Sequence, residues 1–232
     1  MRSLNKIIRI LTSKLKVSKK NLMNLNRNQQ KIFCIGQNKT GTTSLKVALK
    51  EFGYEFGNQT TAELLLESWF RRDFKVILEY CKTAEAFQDI PFSLPYTFQQ
   101  LDMAFKNSKF ILTERDSPEQ WYKSLTKFHS KLWSNRIELP SEFELKKAEY
   151  CYKGFAYDYV KYVFNPPEYD LYNNEVFMTN YINYNNSVKD YFRSRPEKLL
   201  VINVSNNDDY GRLCQFLDKK PRAVGFPWKN KT

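Results

Sequence analysis

The chain has 232 residues, 42% hydrophobic and 16% aromatic, which suits one domain with a sizeable core and excludes a disordered or fibrous chain. Its formal charge of +12 is concentrated at one end, because residues 1–31 carry nine basic side chains and no acid, leaving about +3 for the rest. That near balance argues against a nucleic-acid-binding domain. Four scattered cysteines and a single histidine, His129, provide neither a zinc set nor a disulfide framework, and they fit buried thiols in a reducing, cytoplasmic setting.

In chain order, Leu4, Ile7, Ile8, Leu11 and Leu15 share one helical face among cations. A membrane-surface helix, an organelle transit peptide, a helix packed on the domain and a basic tail all fit this pattern. Residues 1–30 are therefore set apart as an amphipathic or flexible segment, and residues 31–232 as the domain. No stretch approaches the ~18 apolar residues that cross a bilayer, so any membrane contact is expected to be peripheral.

Lys31–Ile35 is a short apolar run that reads as a buried strand ending at Gly36. From Thr42, the residues Leu45, Val47, Ala48, Leu49 and Phe52 recur at helical spacing up to Gly53. Tyr54–Phe56 is expected as a second short strand. Residues 61–83 read as helix in two pieces, broken near Arg71–Asp73, and Ala84–Asp89 as a strand stopped by Pro91. A helix over 95–107 precedes Lys109–Thr113, the next buried strand. Ser117 and Pro118 open a helix running through Leu132. Residues 141–193 are helical with an interruption near 165–167, Leu199–Val204 is a buried strand, and Tyr210–Leu217 a short helix. Alternating strands and helices predict an α/β, three-layer fold with a central, mostly parallel sheet.

The loop between the first strand and helix, Gly36-Gln-Asn-Lys-Thr-Gly-Thr-Thr-Ser44, has two glycines in the Gly-x-x-x-x-Gly frame of a phosphate-binding turn. In triphosphatases, Lys and Ser/Thr follow the second glycine and serve the terminal phosphates and Mg²⁺. Here Thr42 and Thr43 follow Gly41, and the lysine precedes it at Lys39. One lysine, hydroxyls and backbone donors suit a phosphosulfate, whose transferring group carries less charge, without a metal. A second constellation places Arg115 at the end of the Lys109–Thr113 strand and Ser124 on the next helix. An arginine fork bonds phosphate bidentately, and the serine adds a hydroxyl.

Lys39-Thr-Gly-Thr-Thr resembles the motif with which sulfotransferases grip a 5′-phosphosulfate, and the Arg115–Ser124 element resembles their 3′-phosphate site. Gln88-Asp89-Ile-Pro91 and the blocks 184–202, 213–217 and 226–227 add to the likeness, which covers about residues 31–228. The resemblance implies a P-loop-like sulfotransferase fold that binds 3′-phosphoadenosine-5′-phosphosulfate and moves its sulfuryl group to a hydroxyl or amine on a glycan, lipid or small molecule. Donor contacts fall to Gly36, Asn38, Lys39, Thr40, Gly41, Thr42, Thr43, Ser44, Arg115 and Ser124, with no metal. Lys39 is assigned to the leaving phosphate oxygen, and Asp89 to the acceptor proton by position. Glu63 and Glu67 are the alternative bases, because glycan-modifying relatives use glutamate; His129 follows the second motif and does not match the histidine of cytosolic members.

Departures from the family remain. Ser44 stands where cytosolic relatives have tryptophan, and their late Arg-Lys-Gly segment is missing, with Lys219, Lys220, Arg222 and Lys229 as substitutes that nothing ranks. Two other classes stay open: an atypical P-loop kinase or nucleotide-binding protein, and a catalytically idle member acting as a membrane-surface or protein-binding module.

Overall fold

The computed structural model describes residues 30–134 and 138–227. The reading of residues 1–29 and of Lys229 lies outside them. Four of the expected strands form: β1 (Ile32–Cys34), β2 (Ala86–Gln88), β3 (Lys109–Thr113) and β4 (Leu199–Ile202). They make one sheet of order β2-β1-β3-β4, and each adjacent pair is parallel. Tyr54–Phe56 does not become a strand. Only Phe56 bridges to Ala86, while Gly57 lies so close to Phe87 that an added Cβ would come within 2.7 Å of its ring.

Both faces of the sheet are covered, and the period-two alternation of β1 explains how. Ile32 and Cys34 face α1 (Thr42–Glu51) and α10 (Asp208–Phe216), among Leu45, Leu49, Ile111, Ile202, Tyr210 and Leu213. Phe33 and Ile35 face the opposite, larger core. There Phe33 lies in register between Phe87 and Phe110, with ring centroids 5.7 and 5.5 Å away. Each buried phenylalanine contributes roughly 1.5–3 kcal/mol, so this row anchors three strands at once.

The larger layer is built from α2 (Gln59–Glu63), α3 (Leu66–Phe70), α4 (Phe74–Tyr80), α5 (Thr97–Ala104), α6 (Pro118–Trp133), α7 (Glu142–Lys147), α8 (Phe155–Val163) and α9 (Asn174–Phe192). The break expected near Arg71–Asp73 is present, and a further one at Leu64–Leu65 divides the first piece. Among the described residues, no helix is long and apolar enough to cross a membrane.

Topology places the site. β2 lies on one side of β1 and β3 on the other, so chain connections diverge beyond the carboxyl ends of β1 and β3 and leave a crevice there. The glycine loop, Asp89, Arg115 and the exit of β4 all open onto this edge.

Candidate active site

The loop after β1 is shaped by two close approaches. A Cβ on Gly36 would stand 2.0 Å from the Thr113 Oγ1 and 2.6 Å from its backbone nitrogen. Gly41 has φ +98° and would meet the Val204 Cγ2 at 2.1 Å. Between them Lys39 also takes a left-handed backbone, φ 71°. Thr40, fully buried, closes the turn by donating to the Gln37 carbonyl at 2.6 Å and sharing a 2.5 Å hydrogen bond with Thr113.

Carbonyls of this loop have donors in the body of the protein. The Ile35 carbonyl accepts from the Tyr184 hydroxyl (2.7 Å), that of Asn38 from the Trp121 indole (3.0 Å), and that of Lys39 from Arg115 Nε (2.7 Å). By contrast, the amides of Gly36, Gln37, Asn38, Lys39, Gly41, Thr42 and Thr43 make no hydrogen bond within the described residues. α1 follows without a side-chain cap or an acid in its first turn, whereas Ser117, Ser141 and Asn173 cap α6, α7 and α9. Unpartnered amides at the positive end of a helix form an anion cradle. The Gln37 Oε1 and Asn38 Oδ1 are buried beside it without partners.

Arg115 is half-buried just past β3. Its backbone amide donates to the Tyr181 hydroxyl at 2.9 Å, and Nε is used on Lys39, so both terminal nitrogens of the fork have no protein partner among the described residues. Trp121 stacks on Tyr181, with centroids 4.5 Å apart. Ser124 and Phe128 follow Trp121 at i+3 and i+7, on one helix face. The Lys39 Nζ lies 4.2 Å from the Phe128 ring centroid, so Ser124 sits between two residues that touch the loop. Burial, with Arg115 nearby, pulls the Lys39 ammonium below its ordinary pKa.

Asp89 leaves the end of β2 with φ 57°. Gln88 Nε2 donates to its Oδ2 at 2.7 Å and the Thr42 hydroxyl lies close enough to favour the charged carboxylate, whereas Oδ1 is buried without a partner. Burial raises the Asp89 pKa against the opposing effects of Thr42, Gln88, Lys46 and Lys39. Thus Lys39, Thr40, Gly41, Thr42, Arg115 and Asp89 meet at one edge. Thr43 is exposed, and Ser44 is buried on the inner face of α1.

Of the alternative bases, Glu63 lies within electrostatic reach of Asp89, while Glu67 is ion-paired with Arg71. Glu63 accepts from the Cys151 thiol (2.9 Å) and Gln59 (3.2 Å), and burial raises its pKa, with Asp89 adding to that rise. His129, set aside on sequence grounds, bonds the Tyr172 hydroxyl at 3.0 Å and is pulled down to about 3 by burial and by Lys39. It is a neutral neighbour of the lysine rather than a strong base. Tyr159 is buried in the core, whereas Tyr150 is 49% exposed.

Lys219 lies over Tyr54, 5.4 Å from its ring, and Arg222 is tied by its amide to the Tyr210 hydroxyl. Sequence reasoning missed Thr113, Trp121, Phe128, Tyr181, Tyr184 and Val204, all of which shape or touch the loop or its arginine. Trp121 was readable as part of the Arg115–Ser124 string, but nothing local marks Tyr184, which is 149 residues from its partner.

No curated protein sequence matches the chain. A family model described as a sulfotransferase domain matches residues 31–232, which takes in the whole sheet and every residue of the crevice, and the chain therefore belongs to the sulfotransferase-domain family.

Proposed function

We propose that the protein transfers a sulfuryl group from 3′-phosphoadenosine-5′-phosphosulfate to a hydroxyl or amine acceptor. The observation that carries this reading is the run of unpartnered loop amides facing the crevice together with Lys39 and Arg115. A phosphosulfate fits that donor set: amides and Thr42 for the 5′ end, with Arg115 and Ser124 for the 3′-phosphate. When bound, the nucleotide supplies the activated sulfuryl group.

The chain's own residues do the rest. Lys39, held in a poorly solvated position, presents its ammonium where negative charge develops on the leaving oxygen, and reduced solvent screening strengthens that field. Thr42, at the start of α1, sits beside Asp89, so the base and the anion cradle are neighbours. The unpartnered Asp89 Oδ1 is the atom assigned to receive the acceptor's proton, and its raised pKa makes it a stronger base than an ordinary carboxylate. Asp89 in turn holds the neighbouring Glu63 carboxyl up by like-charge repulsion, adding to the effect of that residue's own burial.

The direct test is thermal shift with 3′,5′-adenosine bisphosphate in the absence of Mg²⁺, alongside transfer of labelled sulfate to a panel of phenols, neutral glycosides, lipids and amines. A clear rise in Tm that disappears in Lys39→Ala is expected. A shift that appears only with ATP and Mg²⁺ would replace this reading with a kinase.

A further inference from the structure

A trans peptide holds its C=O and the next N–H on opposite sides, so whatever grips the carbonyl also aims the amide. In this loop the grip comes from outside. The Trp121 indole holds the Asn38 carbonyl, which directs the Lys39 amide the other way, and the Tyr184 hydroxyl does the same for Ile35 and the Gly36 amide. Both side chains are almost fully buried, Trp121 at 0% and Tyr184 at 3% exposure, so water does not replace them. Tyr181 joins the pair by stacking on Trp121 and accepting the Arg115 amide.

The geometry points to Trp121 and Tyr184 as positioning residues for the anion cradle: they hold two loop peptides with their oxygens away from the crevice. This inference rests on the donor reading above. Without its donor, each carbonyl becomes a buried acceptor with no partner, and rotation of the peptide plane would turn an oxygen rather than an N–H towards the phosphate. Arg115 makes the corresponding contact to Lys39 from β3. The cradle is thus set by α6, α9 and the segment after β3 as well as by its own glycines and Thr40.

The test uses the full chain with Trp121→Phe, which keeps a ring on Tyr181 but loses the N–H, and Tyr184→Phe, which loses only the hydroxyl. Titration calorimetry with 3′,5′-adenosine bisphosphate should show each variant binding ~3- to 10-fold more weakly, the factors multiplying in the double variant. The donor KM should rise by the same factor with kcat changing less. Tyr191→Phe is the control, since that tyrosine lies on the same helix but bonds Asp102 and not the loop. A purely structural role would lower the melting temperature yet leave affinity, measured well below it, at the wild-type value. That result overturns the inference, as does equal weakening in Tyr191→Phe. Inorganic pyrophosphate serves as a second probe. If wild type binds it but not the nucleotide, the donor reading falls and the pyrophosphate affinities decide the positioning role; if wild type binds neither, both fall.

Discussion

Gly36→Ala is the sharpest perturbation that the fold defines. The new methyl group would be 2.0 Å from the Thr113 Oγ1 and 2.6 and 2.7 Å from that residue's backbone nitrogen and oxygen. Rotating the Thr113 side chain relieves only the first contact, and it breaks the buried bond to Thr40, worth about 1 kcal/mol. The backbone contacts remain. Bringing both to the usual ~3.5 Å requires about 0.9 Å of separation between the exits of β1 and β3. That movement pulls on the 2.8 Å bond from the Ile35 amide to the Ile111 carbonyl, and such overpacking costs ~1–3 kcal/mol. A total of about 3 kcal/mol corresponds to a fall in Tm of roughly 6–12 °C for a domain of this size. Differential scanning calorimetry reads it directly, and nucleotide titration should show binding lost as the loop moves. A variant melting within ~2 °C of wild type and binding normally would refute the claim that close approach demands this glycine.

Three further outcomes follow from the site and its support. Because burial raises the Asp89 pKa, ionisation of that carboxyl destabilises the fold as pH rises through the raised value. Asp89→Asn should therefore melt progressively higher than wild type as pH rises from the ordinary carboxylate range through the raised value, while losing about 100-fold in kcat/KM; equal pH–stability curves would refute the burial argument. Asp102 is the opposite case. It is 4% exposed, and although burial works against its charged form, bonds from Lys198, Arg195 and Tyr191 win and hold its pKa below the ordinary range. Asp102→Asn should cost about 2 kcal/mol at neutral pH in urea unfolding, the deficit vanishing as acid protonates the wild-type carboxyl through its lowered pKa. Arg115→Lys keeps the charge but cannot bond both the Lys39 carbonyl and a phosphate with one planar fork. Nucleotide affinity should fall ~10-fold in calorimetry, and unchanged affinity would show that charge alone suffices.

The parts of the molecule that sequence made legible are those with a local physical signature. Lys31–Ile35, Lys109–Thr113 and Leu199–Val204 are short, largely apolar runs, the first two buried on both faces and the third on one, and each contains a strand. Ser117 before Pro118 marks the start of α6, where the serine side chain caps the Gln120 amide. Lys39, Gly41, Thr42 and Arg115 stood out because glycine and charge at fixed offsets are rare by chance. Tyr54–Phe56 has strand-like residues, but strand formation needs a partner in register, and only Phe56 finds one. His129 shows a different limit. Its position along the chain gave no sign that the turn of α6 carrying Phe128 brings it beside Lys39. The aromatic supports of the loop were hidden for the same reason, since a tyrosine on a helix face looks alike whether it fills a core or grips a carbonyl.

The long reach of those supports bears on how the protein comes into being. The loop is among the earliest of the described segments to be synthesised, yet its contacts lie 76, 83 and 149 residues further along the chain, at Arg115, Trp121 and Tyr184. Contacts at such separations form late, because a long loop must close before they are rewarded. An emerging chain that has not yet produced α9 lacks the groups that shape its anion cradle. On the proposed reading, nucleotide competence belongs only to the completed fold, and a bound nucleotide, by favouring that state alone, would draw the last long-range closures to completion.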